Sequence, residues 1–270
     1  MVAADLHVHT DNSDGTFALA EVPPAARAAG LDAVAVTDHD RVHPDLDAPV
    51  VERDGVTVVH GIELRVEADD QRVDVLGYGV RPTDALVAEI DRLQHNRVER
   101  GRTILDRLED RLGVPIPVDP EPGLGRPDIA RAVVESDADY ESVRAVFDDL
   151  IGEGEPCYVA RDIPTFERGR DLLGDACALV SLAHPLRYPE PAAALELAPR
   201  LDAVEVAYPY GARGHTGSNG DLTVDDVREV AERHDLVVTG GSDAHERSIG
   251  GTGLSTDEYE RFRDALGVAP

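Results

Sequence analysis

Near its amino terminus the chain reads Asp5-Leu6-His7-Val8-His9-Thr10-Asp11-Asn12-Ser13-Asp14-Gly15. If residues 3–9 form a strand, side chains alternate between its faces, and His7 and His9 point the same way from its end. Two imidazoles so placed can hold one metal ion. The polar loop that follows returns Asp14 to the same region, with Gly15 permitting the tight turn. Taken alone, a His-x-His pair is more often two hydrogen-bonded or surface histidines than a metal site. The ends of later apolar runs supply what is missing. They carry His39 in Asp38-His39-Asp40, Glu63 in Gly61-Ile62-Glu63, His184 in Ala183-His184-Pro185, and Asp243 and His245 in Ser242-Asp243-Ala244-His245.

Of the 10 histidines, His7, His9, His39, His184 and His245 follow this pattern, whereas His43, His60, His95, His215 and His234 read as structural or solvent-facing. Mixed imidazole and carboxylate donors suit Zn, Mn or Fe better than Mg or Ca. The candidates outnumber the four ligands of one tetrahedral zinc, so more than one ion is expected, with Glu63 as the bridging carboxylate. Ions ~3.5–4 Å apart lower the pKa of a bridging water and steady both oxygens of a phosphoryl displacement.

These residues need a scaffold that gathers strand ends. Residues 32–37, 56–64, 72–79, 177–185, 203–207 and 236–245 join the first strand as apolar, β-branched runs, that over 72–79 carrying Asp74. Strands apolar on both faces belong to parallel sheets, whose carboxyl ends build active sites in α/β barrels. Helical patterns over residues 23–29, 164–173, 190–201 and 223–234 alternate with them, which leaves a (β/α) barrel or an open doubly wound sheet. Residues 82–156 carry no strand signal. Thr83 caps a long helix with Leu86, Ile90, Leu93, Ile104, Leu105, Leu108 and Leu112 on one side, and residues 127–134 and 140–150 read as two more helices. The expected division is therefore a barrel of residues 1–81 and 157–270 with a helical insertion of 82–156 on its rim, either walling a substrate pocket or only packing against it. Residues 208–221 read as a Gly-rich loop.

The 54 acidic residues outnumber 26 basic ones, every basic residue is Arg, and the net charge is -28. Self-repulsion on that scale burdens the compact state in dilute salt but fades at molar salt, where the Debye length is ~3 Å. A halophilic, high-salt cytoplasm is the expected setting, with a generally acidic surface as the plainer reading. No basic stripe exists to track along nucleic acid, although a nucleotide or a short oligonucleotide end remains compatible. No run approaches a membrane span, the start at residues 1–5 running straight into the first strand leads one to expect no signal peptide, and Cys157 and Cys177 suggest no disulfide framework, so a reducing cytoplasm is the expected compartment.

Together, His7-Val8-His9, Ser13-Asp14-Gly15, Thr37-Asp38-His39-Asp40, Gly61-Ile62-Glu63, Ala183-His184-Pro185 and Gly241-Ser242-Asp243-Ala244-His245 resemble the ordered motifs of the PHP (polymerase and histidinol phosphatase) superfamily. That resemblance implies a distorted (β/α)7 barrel with a trinuclear metal centre and phosphoesterase chemistry. It assigns His7, His9, Glu63 and Asp243 to a first ion, Glu63, Asp74 and His184 to a second, and Asp14, His39 and His245 to a third. The helical insertion, Arg126-Pro127-Asp128-Ile129-Ala130 and His184-Pro185-Leu186-Arg187-Tyr188 resemble the branch acting on nucleoside 3′,5′-bisphosphates and short oligonucleotide ends; the histidinol phosphatase branch fits less well. The family usually has His where this chain has Asp74, and this branch has Arg-Pro-His where this chain has Arg126-Pro127-Asp128. His215-Thr216 is similar to a His-Thr pair after the sixth strand, displaced by the Gly-rich loop.

The expected chemistry is attack of a bridging hydroxide on a small phosphorylated substrate, with two to three divalent ions (Mn, Zn or Fe) offsetting the phosphoryl charge. Arg187, then Arg126, is the candidate phosphate grip, and His245 a candidate proton donor to the leaving group; each Arg has a surface ion pair as its plainer reading. Asp38 and Asp40 either orient a ligand histidine or are solvated loop carboxylates, the latter being the reading for Asp40. A metal-binding module without turnover and an amide hydrolase are the alternatives.

Overall fold

The computed structural model describes residues 1–69, 71–211 and 222–267. Its strands are β1 (Ala4–Val8), β2 (Ala33–Val36), β3 (Val50–Arg53), β4 (Val56–Ala68), β5 (Gln71–Tyr78), β6 (Leu179–Leu182), β7 (Ala203–Ala207) and β8 (Val237–Gly240). They join in the order β1-β2-β4-β5-β6-β7-β8, with β3 paired to β4 off that path. The path then returns on itself. His9 N–H donates to the Ala244 carbonyl at 2.9 Å and Ala244 N–H to the His7 carbonyl at 3.2 Å, so the segment after β8 bonds to the end of β1. The result is a nearly closed, distorted α/β barrel.

Strand direction corrects part of the sequence reading. β1, β2 and the first half of β4 are parallel, as are β6, β7 and β8, but β5 runs against both of its neighbours. The cause is the link between Ala68 and Gln71, far too short for a crossover and therefore a hairpin. Glu63 accordingly does not close a strand; β4 continues past it, and its second half pairs with β5 with Arg65 opposite Asp74.

The helices are α1 (Val22–Ala28), α2 (Asp84–Leu112), α3 (Arg126–Glu135), α4 (Val143–Val146), α5 (Phe166–Ala176), α6 (Pro191–Leu195), α7 (Val224–Arg233) and α8 (Thr256–Ala265). Local chemistry sets their ends. Pro23 and Pro24 open α1, where a missing N–H costs nothing. Thr165 caps α5 by accepting from Arg168 N–H at 3.3 Å, and Thr223 and Asp226 cap α7 reciprocally. The helix expected over 140–150 starts only at Val143, because Ser142 caps it by accepting from Ala145 N–H. That expected over 190–201 stops at Leu195 and resumes as a single 3-10 turn, Ala198–Arg200, around Pro199. Neither β3 nor α8 was foreseen.

The chain forms two compact units, residues 1–87 with 164–270, and residues 88–163, so the boundary falls within α2. In the first, Leu6, Ala35, Val59, Leu76, Tyr78 and Leu179 pack with Tyr259 and Phe262 of α8, while Val8, Val34, Val36 and Val58 pack with Phe17, Val22 and Ala26 around α1. In the second, Ile104, Leu105 and Leu108 of α2 cluster with Ile129, Val133, Val146, Leu150 and Ile151. No described helix is long and apolar enough to cross a membrane.

Candidate metal centre

Six segments converge at one end of the barrel. The end of β1 brings His7 and His9, and the turn after it brings Asp14. Gly15 is obligatory there, since a Cβ at that position would meet the His9 carbonyl oxygen at 2.2 Å. Gly241 plays the same part on the other side: its Cβ would stand 2.4 Å from His7 N, and only glycine lets residues 241–245 lie against β1. The β2 end supplies His39, β4 supplies Glu63, β5 supplies Asp74 and the β6 end supplies His184. Two of these residues adopt left-handed backbone, His184 at φ 26° and Asp243 at φ 50°. Strain of that kind in residues that are not glycine, costing of order 1–3 kcal/mol each, persists only where the surroundings impose it.

Three groups of donor atoms result, each within 4.8 Å: His7, His9, Glu63 and Asp243; Glu63, Asp74 and His184; and His9, Asp14, His39 and His245. His9 Nε2 lies 3.1 Å from Asp243 Oδ1 and 3.4 Å from Glu63 Oε2, His7 Nε2 lies 3.3 Å from Glu63 Oε2, and His184 Nε2 lies 3.0 Å from Glu63 Oε1. Glu63 thus joins the first two groups, and His9 joins the first to the third. The first two groups are fully buried, whereas Asp14, His39 and His245 face the mouth with side chains 46%, 21% and 29% exposed.

Charge in this hollow is distributed as cation sites require. Burial opposes a proton on His7, but Glu205, Glu63 and Asp243 outweigh it and push its pKa well above the ordinary range. His39, against the same opposition, is raised to about 9, chiefly by Glu63. His9 is held down to about 4 by burial and by the neighbouring His39. Glu63 and Asp243 are depressed despite burial, Glu63 by His39 and His7 and Asp243 by His7 and His9, so the centre keeps its anionic donors. His7 Nε2 and His9 Nδ1 are buried without a hydrogen-bond partner among the described residues. Orphaned imidazole nitrogens beside ionised carboxylates are the donor chemistry of a divalent transition-metal site, and the residues fit one.

The nine residues expected as ligands all lie in these groups. Arg187 is beside them, its Nη1 3.2 Å from Asp243 Oδ2 and 3.3 Å from the Tyr208 hydroxyl. Arg126 belongs to the helical unit, where its guanidinium lies 5.5 Å from the Phe147 and Tyr158 ring centres and donates to the Ile151 carbonyl. His215 and residues 212–221 of the Gly-rich loop lie outside the described residues.

Asp38 and Asp40 are not solvated, which corrects the plainer reading. Asp38 is fully buried and accepts from Thr10 N–H, Thr10 Oγ1, Asn12 Nδ2 and Ser13 Oγ, fixing the turn that carries Asp14. Asp40, 1% exposed, accepts from Arg65 N–H. Glu205 went unnoticed in the sequence. It accepts from His7 Nδ1 at 3.0 Å and from His184 N–H at 2.8 Å, orienting His7 so that Nε2 faces the first group. Its signal was present: one glutamate within the apolar run Ala203–Ala207. Asp5 does similar work, accepting from Ser242 N–H and Oγ and from Gly250 N–H to anchor the segment holding Asp243 and His245.

Comparison with known proteins agrees with this geometry. A family model described as PHP domain matches residues 5–146. A 3′,5′-nucleoside bisphosphate phosphatase of Chromobacterium violaceum is 30% identical over 96% of this chain and 92% of its own. A phosphoribosyl 1,2-cyclic phosphate 1,2-diphosphodiesterase of Eggerthella lenta is 32% identical over 89% of this chain and 93% of its own. A crystal structure from Bifidobacterium adolescentis, described as a metal-dependent phosphoesterase, has the same fold, with TM-score 0.77 at 23% identity over 98% of this chain and 96% of that one.

Proposed function

The chain belongs to the PHP domain family and is a metal-dependent phosphoric ester hydrolase; from that premise we propose that it removes a phosphomonoester from a nucleotide, either a nucleoside 3′,5′-bisphosphate or the end of a short oligonucleotide. One observation carries this reading: three donor groups share Glu63 and His9 in a single hollow, beside Arg187. His7, His9, Glu63 and Asp243 would hold a first ion and Glu63, Asp74 and His184 a second, with Asp14, His39 and His245 completing a third; Mn, Zn and Fe all suit these donors. Ions bound there would acidify a water molecule and offset the charge of the phosphoryl oxygens.

The chain's own groups do the rest. Asp243 and Tyr208 hold Arg187 half-buried, and the remaining N–H donors of its guanidinium grip two non-bridging phosphate oxygens at once. In so acidic a protein that local positive charge also draws the anionic substrate in. Glu205 keeps His7 in one orientation throughout, and Asp38 keeps the Asp14 turn in place. His245, the most exposed imidazole of the centre, is raised against burial by Asp14 and holds a proton for the departing oxygen whenever the outer group is unfilled.

Release of phosphate from adenosine 3′,5′-bisphosphate, a short 5′-phosphorylated oligonucleotide and histidinol phosphate, measured with Mn and after chelation, tests the proposal. The expected result is Mn-dependent turnover of the first two, lost in Glu63→Gln. Turnover of histidinol phosphate alone, or hydrolysis that survives chelation, would overturn it. Bound metal without any turnover would leave a binding module instead.

A further inference from the structure

The three donor groups differ in what else claims their carboxylates. In the first, Asp243 divides its oxygens. Its Oδ2 accepts from Arg187 Nη1 at 3.2 Å and from the Tyr208 hydroxyl at 2.8 Å, while Oδ1 faces His9 Nε2 at 3.1 Å. In the third, Asp14 Oδ1 faces His245 Nε2 at 3.4 Å and Oδ2 faces His39 Nε2 at 3.8 Å. In the second, Arg65 takes both oxygens of Asp74: Oδ2, which is 3.8 Å from His184 Nε2, lies 2.5 Å from Arg65 Nη2. The backbone imposes that grip. Arg65 and Asp74 are register partners across β4 and β5, Arg65 N–H donates to Asp40 Oδ1, and Asp74 N–H donates to the Tyr188 hydroxyl. We propose that Arg65 is a built-in competitor for the second ion, holding the group of Glu63, Asp74 and His184 to weak, exchangeable binding. Metal dependence of the hollow is the premise; Arg65 adds control over one of its affinities.

A carboxylate oxygen has two lone-pair sites, and the arginine fork fills one on each oxygen of Asp74. An ion using the others stands beside a fixed positive charge in a fully buried group, where a low dielectric makes like charges repel most. Breaking the fork relieves that repulsion but sacrifices two charge-assisted hydrogen bonds. Either way, an ion here meets a penalty that Arg187 does not impose on the first group. Arg187 bonds Asp243 on Oδ2 and leaves Oδ1 turned to the imidazoles, and the first group has four donor residues against three. The Arg65 side chain is partly exposed, so a guanidinium displaced from Asp74 is solvated at once. Occupancy of the second group then follows free ion concentration over a range in which the first stays filled.

The test is Mn binding by the full-length chain after stripping with a chelator, read as metal per chain in equilibrium dialysis over a range of free Mn. Arg65→Met should move the binding of one Mn per chain to about tenfold lower free Mn or further, as expected when a charge-assisted hydrogen bond no longer opposes the ion. The gain should vanish when Asp74→Ala is added, because the contested ligand is then gone. Should Arg65→Met fail to fold, Arg65→Gln removes the same charge and replaces it. Identical isotherms for parent and variant, weaker binding by the variant, or a gain that survives Asp74→Ala would overturn the proposal. No turnover is read, and the two failures differ: identical isotherms sink the competition alone, whereas no Mn bound by either protein sinks the metal-dependent reading with it.

Discussion

Arg65 and Asp74 face each other across the β4–β5 ladder, and one guanidinium holds both carboxylate oxygens, Nε to Oδ1 at 2.7 Å and Nη2 to Oδ2 at 2.5 Å. The carboxylate is 1% exposed and the guanidinium 34%. The chain thus carries its own counter-charge for the aspartate that stands where the resemblance leads one to expect histidine. Arg65→Met should destabilise the metal-free protein by about 2 kcal/mol, since it strands a buried carboxylate but removes only a partly exposed cation. Added Mn should narrow that deficit, because a bound cation does for Asp74 what the guanidinium did. Denaturant unfolding with and without the ion reads both effects; an equal deficit in both would refute the coupling.

Glu205→Gln tests orientation without removing a ligand. Glutamine can still occupy the space, but it no longer places a full negative charge against His7 Nδ1. Loss of such an outer partner typically costs about 10–100-fold in metal affinity or activity. Metal content after dialysis and kcat should fall together, with the fold intact by circular dichroism.

Arg187→Ala should lower kcat/KM by about 100-fold, the worth of two charge-assisted hydrogen bonds to phosphate. Metal content should hold, because Asp243 keeps its contacts to His9 and Tyr208. Steady-state kinetics with parallel metal analysis separates substrate grip from metal loss.

His60 makes stability depend on pH. It is 2% exposed, neither ring nitrogen has a hydrogen-bond partner among the described residues, and burial together with His43 lowers its pKa to about 4 from an ordinary 6.5. The folded chain therefore refuses a proton that the unfolded chain accepts. Stability falls as pH drops from 6.5 towards 4 and the loss saturates below, amounting to roughly 3 kcal/mol. His60→Leu should be near neutral at pH 7.5 and more stable than the parent at pH 5, as denaturant midpoints across that range would show. Parallel pH curves for the two proteins would count against it.

With a net charge of -28, raising KCl from about 0.1 to 2 M should raise Tm by several degrees as self-repulsion is screened. A Tm that falls or stays level in calorimetry would contradict the high-salt reading.

Much of the candidate donor set was legible because His7, His9, His39, His184, Asp243 and His245 sit in or just after short apolar runs that composition locates, whereas Asp74 entered only through the family resemblance. His7 and His9, two apart on one strand, needed no tertiary information. What escaped the sequence is what depends on pairing. Strand direction turns on how far β4 runs: read as ending at residue 64, it hides the hairpin between Ala68 and Gln71, and Glu63 was misplaced to a strand end for that reason. Glu205 and Asp38 act through partners far away in sequence, so no local period betrays them. The late helix α8 carries mostly polar residues around a few buried ones, Tyr259 and Phe262 among them, too sparse a stripe to announce a core element.

The seam between β1 and residues 242–245 has a consequence for biosynthesis. Ligands taken from both extremities of the polypeptide meet across that seam, so a nascent chain still threaded in the ribosome at residue 240 possesses His7 and His9 but not Asp243 or His245. The donor group of His7, His9, Glu63 and Asp243 is thereby incomplete until translation is almost finished, and products that end before residue 243 lack it.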